Sequence, residues 1–240
     1  MPRRLIAFVV LAIVLGAIFV RLGFWQLARL EERRAANRAV AAQLAMAPEP
    51  FAAVARAPDG VNRRARVEGA LDYQSEFVVT GRSRNGSPGV HIMTPLRVPG
   101  TDSAILVNRG WVYSADAATI DLPRWREERT TFSGFTQLLP SGTAAMVRGR
   151  GLRPLTLEGA RQLVTYPVYT LYLVAQDSTS ATAPTRLPLP ALDEGPHLSY
   201  AIQWFAFAVI ALGGTVAVIQ RTRRGAMSAR AQDSTFQNRP

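Results

Sequence analysis

The sequence predicts an α+β membrane protein: two transmembrane helices flanking a β-rich, mainly antiparallel extracytoplasmic domain with one short helix. Three observations lead there. Long apolar runs lie near both ends of the 240-residue chain. Arginines gather at their flanks. Between them, short β-branched and aromatic segments alternate with turn signals.

The first apolar run, LIAFVVLAIVLGAIFV at residues 5–20, continues through Arg21 to Trp25. Residues 5–25 supply the ~20 positions needed to cross ~30 Å of hydrocarbon, with Arg21 snorkelling and Phe24 and Trp25 in the interfacial belt. A cleaved signal peptide is the alternative. No A-x-A-like site follows closely and the apolar core is long for a signal, so a retained anchor is expected. The second run, residues 200–219, carries no charge and is followed by Arg221, Arg223 and Arg224. Those arginines place both termini in the cytoplasm: residues 1–4 and 220–240 inside, 26–197 outside, and spans at 5–25 and 198–219. The polar tail after Arg224 is expected to be disordered. Small residues share a face on each helix, Ala12, Gly16 and Gly23 on the first and Ala208, Ala211 and Thr215 on the second. Such faces suit close packing, with each other or with a partner's helices.

Between the spans, residues 26–44 read as a continuing helix that Pro48 and Pro50 terminate. Strand patterning follows at 63–70, 76–82, 90–98, 104–111, 130–138 and 166–175, with a short helix at 156–164. A Ser/Thr/Ala/Pro-rich connector runs from Asp177 to Pro196.

Composition excludes several chemistries. There is no cysteine, so disulfides, thiolate metal sites, cysteine nucleophiles and C-x-x-C-H haem attachment are ruled out. There is no lysine either, which excludes Schiff-base and P-loop chemistry. The net charge of +11 sits mostly beside the apolar runs, so it sets topology and no nucleic-acid partner is expected. The pairs Glu31–Glu32 and Glu127–Glu128 are flanked by arginines and read as solvated. His91 and His197 are the two histidines; His91, within a strand, reads as structural or solvent-facing. No H-E-x-x-H, G-x-S-x-G or P-loop motif is present, so the chain is not expected to be an enzyme.

Two stretches stand out beside His197. LVNRGWV, residues 106–112, reads as a strand ending in a tight Asn-Arg-Gly turn with Trp111 packed on the sheet. Its rival is a docking surface of Asn108, Arg109, Gly110 and Trp111, with Arg109 as a hydrogen-bonding fork. LGFWQLARL, residues 22–30, offers Trp25, Gln26 and Arg29 either as interfacial anchors or as a partner-recognition patch.

These stretches, taken in order, resemble one family. The order is Leu22, Gly23, Trp25, Gln26 and Arg29; then Gly86, Pro88, Gly89, Thr94, Pro95 and Leu96; then VNRGWV; then HLSYAIQWFAFA at the second span. The chain resembles the surfeit locus protein 1 family, assembly factors of haem–copper cytochrome c oxidase. It departs from the family pattern at Glu32-Arg33, where a Trp-Lys pair is usual, and at Tyr113, where a Pro is usual. The resemblance implies a bacterial-type inner-membrane protein that helps build the haem a centre. Its implied partners are oxidase subunit I, haem A synthase and the lipid bilayer. In some bacterial members a histidine at the second span is taken as a haem a ligand, and that position here is His197.

Neutral imidazole suits an axial position on haem iron, and no other metal site is expected. Helical periodicity puts Tyr200, Ala201 and Trp204 on the face of His197. Tyr200 and Trp204 would wall a macrocycle, Ala201 would leave room, and Arg21 and Arg29 would meet its propionates. The plainer alternative keeps His197 as an interfacial residue and the chain as a scaffold that holds an oxidase assembly intermediate without haem.

Overall fold

A computed structural model describes residues 3–142, 145–177 and 183–237, with side chains through residue 225. The chain falls into two compact units, one holding the residues up to Arg38 and from Leu192 onward, the other Ala39–Ala191.

The first unit is built on α1 (Arg3–Ala45) and α4 (His197–Gln237). The α4 helix continues past Arg224, beyond which the sequence was expected to be disordered. Burial along α1 recurs at Ala12, Gly16, Gly23, Gln26 and Leu30, and along α4 at Ala201, Ala208 and Thr215. Steps of three, four and seven keep one stripe facing one partner. The stripes are lined by small residues because the backbones approach closely: a Cβ added at Gly16 would lie 3.0 Å from Leu212, and one at Gly23 would lie 2.6 Å from the Phe205 ring. These pairings run in opposite chain directions, so the helices are antiparallel. Phe19 stacks on Trp204 with ring centroids 5.8 Å apart, and Phe24 meets Phe205 edge-on at 5.3 Å. Away from the stripe the surface stays apolar, with Leu11, Ile202, Val209 and Ile210 all exposed. Both helices are long and apolar enough to cross a membrane.

The second unit is one sheet. Its elements are β1 (Glu49–Pro50), α2 (Phe51–Arg56), β2 (Arg64–Glu68), β3 (Ala70–Leu71), β4 (Phe77–Arg84), β5 (Ser87–Arg97) and β6 (Ala104–Tyr113). A single 3-10 turn, Leu122–Trp125, leads to β7 (Thr131–Leu138), β8 (Met146–Arg148), β9 (Gly151–Arg153), α3 (Leu157–Leu163) and β10 (Leu171–Ala175). The strand order is β1-β2-β7-β10-β6-β5-β4-β9-β8, with β3 paired to β5.

The expectation of a mainly antiparallel domain needs correction, because the sheet is mixed. β1 runs parallel to β2, β10 to β6, and β9 to β4. The β6–β10 pairing closes over all of β7, β8, β9 and α3, the long crossover that a parallel neighbour requires. Local turn signals report hairpins and carry no trace of such closure.

Three apolar clusters hold the sheet. Phe77, Met93, Leu106, Phe135 and Val174 pack on one face with Ala160 of α3, and Phe51, Val54, Val107, Phe132 and Leu173 form a second cluster with α2. Val78, Val90, Ile92 and Val112 form the third. Every residue of the central strand β10 is buried. Each buried Leu, Val, Phe or Met side chain in these clusters contributes about 1.5–3 kcal/mol of transfer free energy. Thr156 caps α3 by accepting from the Gly159 amide at 3.1 Å.

Two β-bulges re-aim side chains. In β4 the pairs step from Val79↔His91 to Arg82↔Gly89, so one extra residue sits between them. In β6 they step from Met93↔Asn108 to Ile92↔Gly110, leaving Arg109 unpaired.

Candidate functional site

The histidine at the start of α4 is held from both sides in sequence. Asp193 Oδ1 accepts from the Gly195 amide at 2.8 Å, a turn in which Gly195 takes φ +71°. Pro196 supplies its carbonyl to Tyr200 N at 3.1 Å and to Ser199 Oγ at 2.8 Å, which starts the helix at His197. From α1, Arg34 grips Glu194 with Nε and Nη2 both at 3.0 Å, and Asn37 Nδ2 donates to Asp193 O at 3.2 Å. Glu194 holds the Arg34 guanidinium charged, above its ordinary range. The Arg34–Glu194 pair was not legible in sequence, since 160 positions separate its members.

The imidazole itself meets Gln26. His197 Nδ1 and Gln26 Oε1 are 2.8 Å apart, and Gln26 is 9% exposed. A carboxamide oxygen only accepts, so with this orientation Nδ1 carries a proton, and in the neutral ring Nε2 then keeps its lone pair. Ligand histidines are held this way in metal sites, with the second ring nitrogen donating to an oxygen. The chemistry of the donor thus fits one axial position on iron. Gln26, singled out for anchoring or partner recognition, is buried against the histidine instead.

The stripe expected beside His197 divides. Ala201, given the role of leaving room, is 1% exposed, its space closed within the helix pair. Trp204 stacks on Phe19, and Tyr200 is exposed. Arg29 pairs with Glu32 at 2.5 Å, and Glu31 pairs with Arg34 at 3.3 Å; both acids are exposed, as their setting implied. A depression of about 690 Å³ lies on α1 at Arg21, Leu22, Phe24 and Trp25, and His197 is not among its lining residues. Phe24 and Trp25 are themselves exposed.

In the sheet unit the NRGW stretch is strand and not a turn, and its arginine is not exposed. β6 runs straight through it to Tyr113, and the Asn-Arg-Gly tripeptide is the bulge. Gly110 takes φ +133°, and a Cβ there would lie 2.4 Å from Thr185 O, the backbone that pairs with Trp111. Arg109 cannot serve as an exposed fork, because it is wholly buried. Its Nε donates to Thr94 Oγ1 at 2.8 Å, its Nη1 to Trp125 O at 2.5 Å and to Glu127 Oε2 at 3.2 Å, and its Nη2 to Glu76 Oε1. Thr94 Oγ1 donates onward to Glu76 at 2.6 Å, and Arg186 Nη2 binds Glu127 Oε1 at 2.6 Å. Glu127 therefore departs from the solvated reading: its carboxylate joins two arginines and is nearly buried. Asn108 is buried too, its Oδ1 accepting from Gly110 N at 3.1 Å, and Trp111 is half-buried. A guanidinium brought into the interior by a bulge needs several acceptors at once, which explains why this stretch is so particular.

Comparison with known proteins follows the same span. A family model described as the SURF1 family matches residues 13–209, from within α1 to within α4. The SURF1-like protein of Rickettsia conorii is 25% identical over 226 residues, covering 89% of this chain and 90% of that protein. The SURF1-like protein of Rickettsia felis is 26% identical over 205 residues, covering 80% of this chain and 88% of that one. The matched span takes in the Gln26–His197 pair, both bulges and the buried arginine, and on that coverage the chain belongs to the SURF1 family.

Proposed function

We propose that this chain crosses a bacterial-type inner membrane twice, with the sheet unit outside and both termini in the cytoplasm. In that position it assists cytochrome c oxidase assembly by receiving haem a, made by haem A synthase, and presenting it to subunit I. The observation that carries this reading is the Gln26–His197 hydrogen bond. In the neutral ring it puts the proton on Nδ1 and leaves Nε2 for a ligand, in a helix pair whose outer faces are apolar. Haem a is cargo here, and the role is not enzymatic.

The test is the visible spectrum of the purified chain after co-production with haem A synthesis. A haem a spectrum is expected, lost in His197→Ala and weakened in Gln26→Leu, since losing such a supporting bond costs about 10–100-fold in affinity. An unchanged spectrum in His197→Ala would sink the ligand assignment.

A second reading is favoured by the closed space at Ala201 and the commitment of Trp204 to Phe19. On that reading the chain is a scaffold that holds an oxidase intermediate without haem. Copurification with subunit I that survives His197→Ala, with no haem bound under any condition, would select it.

A further inference from the structure

The sheet unit contains a cavity of about 320 Å³, open to solvent, that the haem reading does not use. Its polar lining comes from neighbouring strands: Arg82 of β4, His91 of β5, Asn108 of β6, Gln137 of β7 and Tyr172 of β10. Tyr172↔Gln137 is a registered pair, and Asn108 pairs across to Val174 of β10, which also lines the space. Arg82 reaches this face through the β4 bulge. Without the extra residue, period-two alternation would put positions 79 and 82 on opposite faces; with it, Arg82 joins Val79 and His91. Gly81, at φ +66°, makes the bulge possible.

The hydrogen-bonding inventory of this cavity is one-sided. Tyr172 donates to Gln137 Oε1 at 2.9 Å, so the Gln137 amide group presents its N–H bonds. Asn108 Oδ1 is occupied by Gly110 N, so Nδ2 faces His91 Nδ1 at 3.5 Å. That arrangement makes His91 Nδ1 the acceptor and leaves Nε2–H as a donor. Burial first, and the Arg82 charge second, push His91 down to about 4, so the ring adds no charge of its own. Arg82 has no hydrogen-bond or ion-pair partner among the described residues, and its Nε is buried and unsatisfied. No Asp or Glu is among the described residues that line the cavity. One uncompensated cation and a set of free donors call for an acceptor anion.

The remaining wall is apolar. Val79, Phe135 and Leu155 contribute to it, and Leu187, Pro188 and Pro190 close it with side chains that add no polar group. That closing segment is tied down by Gln176 Nε2 on Leu187 O at 2.6 Å and by the adjacent Arg186–Glu127 pair. A single arginine matches a monoanion, whereas a phosphate group carries about 1.5–2 negative charges. The volume equals about ten water molecules in the liquid, enough for an acid of benzoate size.

We propose that this cavity is a binding site for a small organic monocarboxylate, its carboxylate on Arg82 and its apolar body against the Val79–Phe135–Leu187 wall. The site is independent of haem binding and of His197.

The experiment uses the full chain in non-ionic detergent, with sodium benzoate as probe and acetate, inorganic phosphate and chloride as comparison ions at equal ionic strength. Benzoate at ten times its Kd should raise Tm by about 3–6 °C. Phosphate and chloride should give no saturable shift, and acetate, which has the carboxylate but almost no apolar body, a much weaker one than benzoate. Arg82→Gln should weaken benzoate binding at least tenfold, while Arg84→Gln, which lies outside the cavity on the same strand, should leave it unchanged. If Arg82→Gln does not fold, Arg82→Lys serves, with a several-fold loss expected because the planar fork is gone. Saturation transfer from protein to the benzoate ring protons gives a second readout on the parent chain. Equal response to phosphate or chloride, equal binding by the Arg82 variants, or no saturable benzoate effect would each overturn the proposal and leave a water-filled recess.

Discussion

Replacing Arg109 with Met keeps most of the side-chain volume and removes a charge from the interior of the sheet unit. Arg109 is bonded to Glu76, Thr94, Glu127 and the Trp125 carbonyl, and both it and Glu76 are buried. Breaking a buried ion pair by deleting one partner costs about 3–5 kcal/mol, because the other charge stays behind without compensation. Glu127 retains Arg186 at 2.6 Å, so the penalty falls mainly on Glu76, whose Oε2 already lacks a partner. The expected loss for Arg109→Met is therefore about 3 kcal/mol, the low end of that range. Adding Glu76→Leu removes the stranded carboxylate, and the double variant should recover more than half of the loss. Urea unfolding of the full chain in non-ionic detergent, followed by tryptophan fluorescence, reads both numbers. A single variant within about 0.5 kcal/mol of the parent would behave like a surface substitution and refute the buried network.

Two further outcomes follow from the geometry. His91 is held down to about 4 by burial and by Arg82, against an ordinary value of 6.5. Its neutral folded form contributes stability that is complete above about pH 6.5 and is lost as pH falls toward 4; at pH 5 the deficit is about 2 kcal/mol. His91→Gln should flatten that part of the urea-midpoint profile, and identical profiles would disprove the assignment. Gly134→Ala would set a Cβ 1.9 Å from Val174 O, a backbone atom that cannot yield without opening β7 from β10. A loss of about 1–3 kcal/mol is expected, against almost none for Gly142→Ala, where the nearest atom is 3.7 Å away. A neutral Gly134→Ala would show that the two strands do not approach so closely.

What could be read in the residues was whatever is written locally. Apolar length marked both helices, small-residue spacing marked Gly16, Gly23, Ala208 and Thr215 as a packing stripe, and β-branched runs marked the six longer strands. The two- and three-residue strands β1, β3, β8 and β9 have too few positions to show alternation. The parallel pairings were hidden because β6 and β10 meet only after about sixty intervening residues have been threaded elsewhere. Both bulges had a signal that was available: a lone glycine inside a strand run, Gly81 in one and Gly110 in the other. Reading Gly110 as a turn instead placed Arg109 outside when it lies inside. At the helix pair, Gln26 and His197 were each singled out, but under separate roles. Neither residue type implies the other, so their hydrogen bond is a tertiary fact.

The Gln26–His197 bond spans 171 positions, and this gives the site an order in time. A chain is made from its N-terminus, so Gln26 emerges early and waits while the whole sheet unit is synthesised. Until α4 exists and docks, nothing holds the imidazole proton on Nδ1, and the ring is free to exchange tautomers. The oriented histidine thus forms only once α4 has been made and has docked on α1.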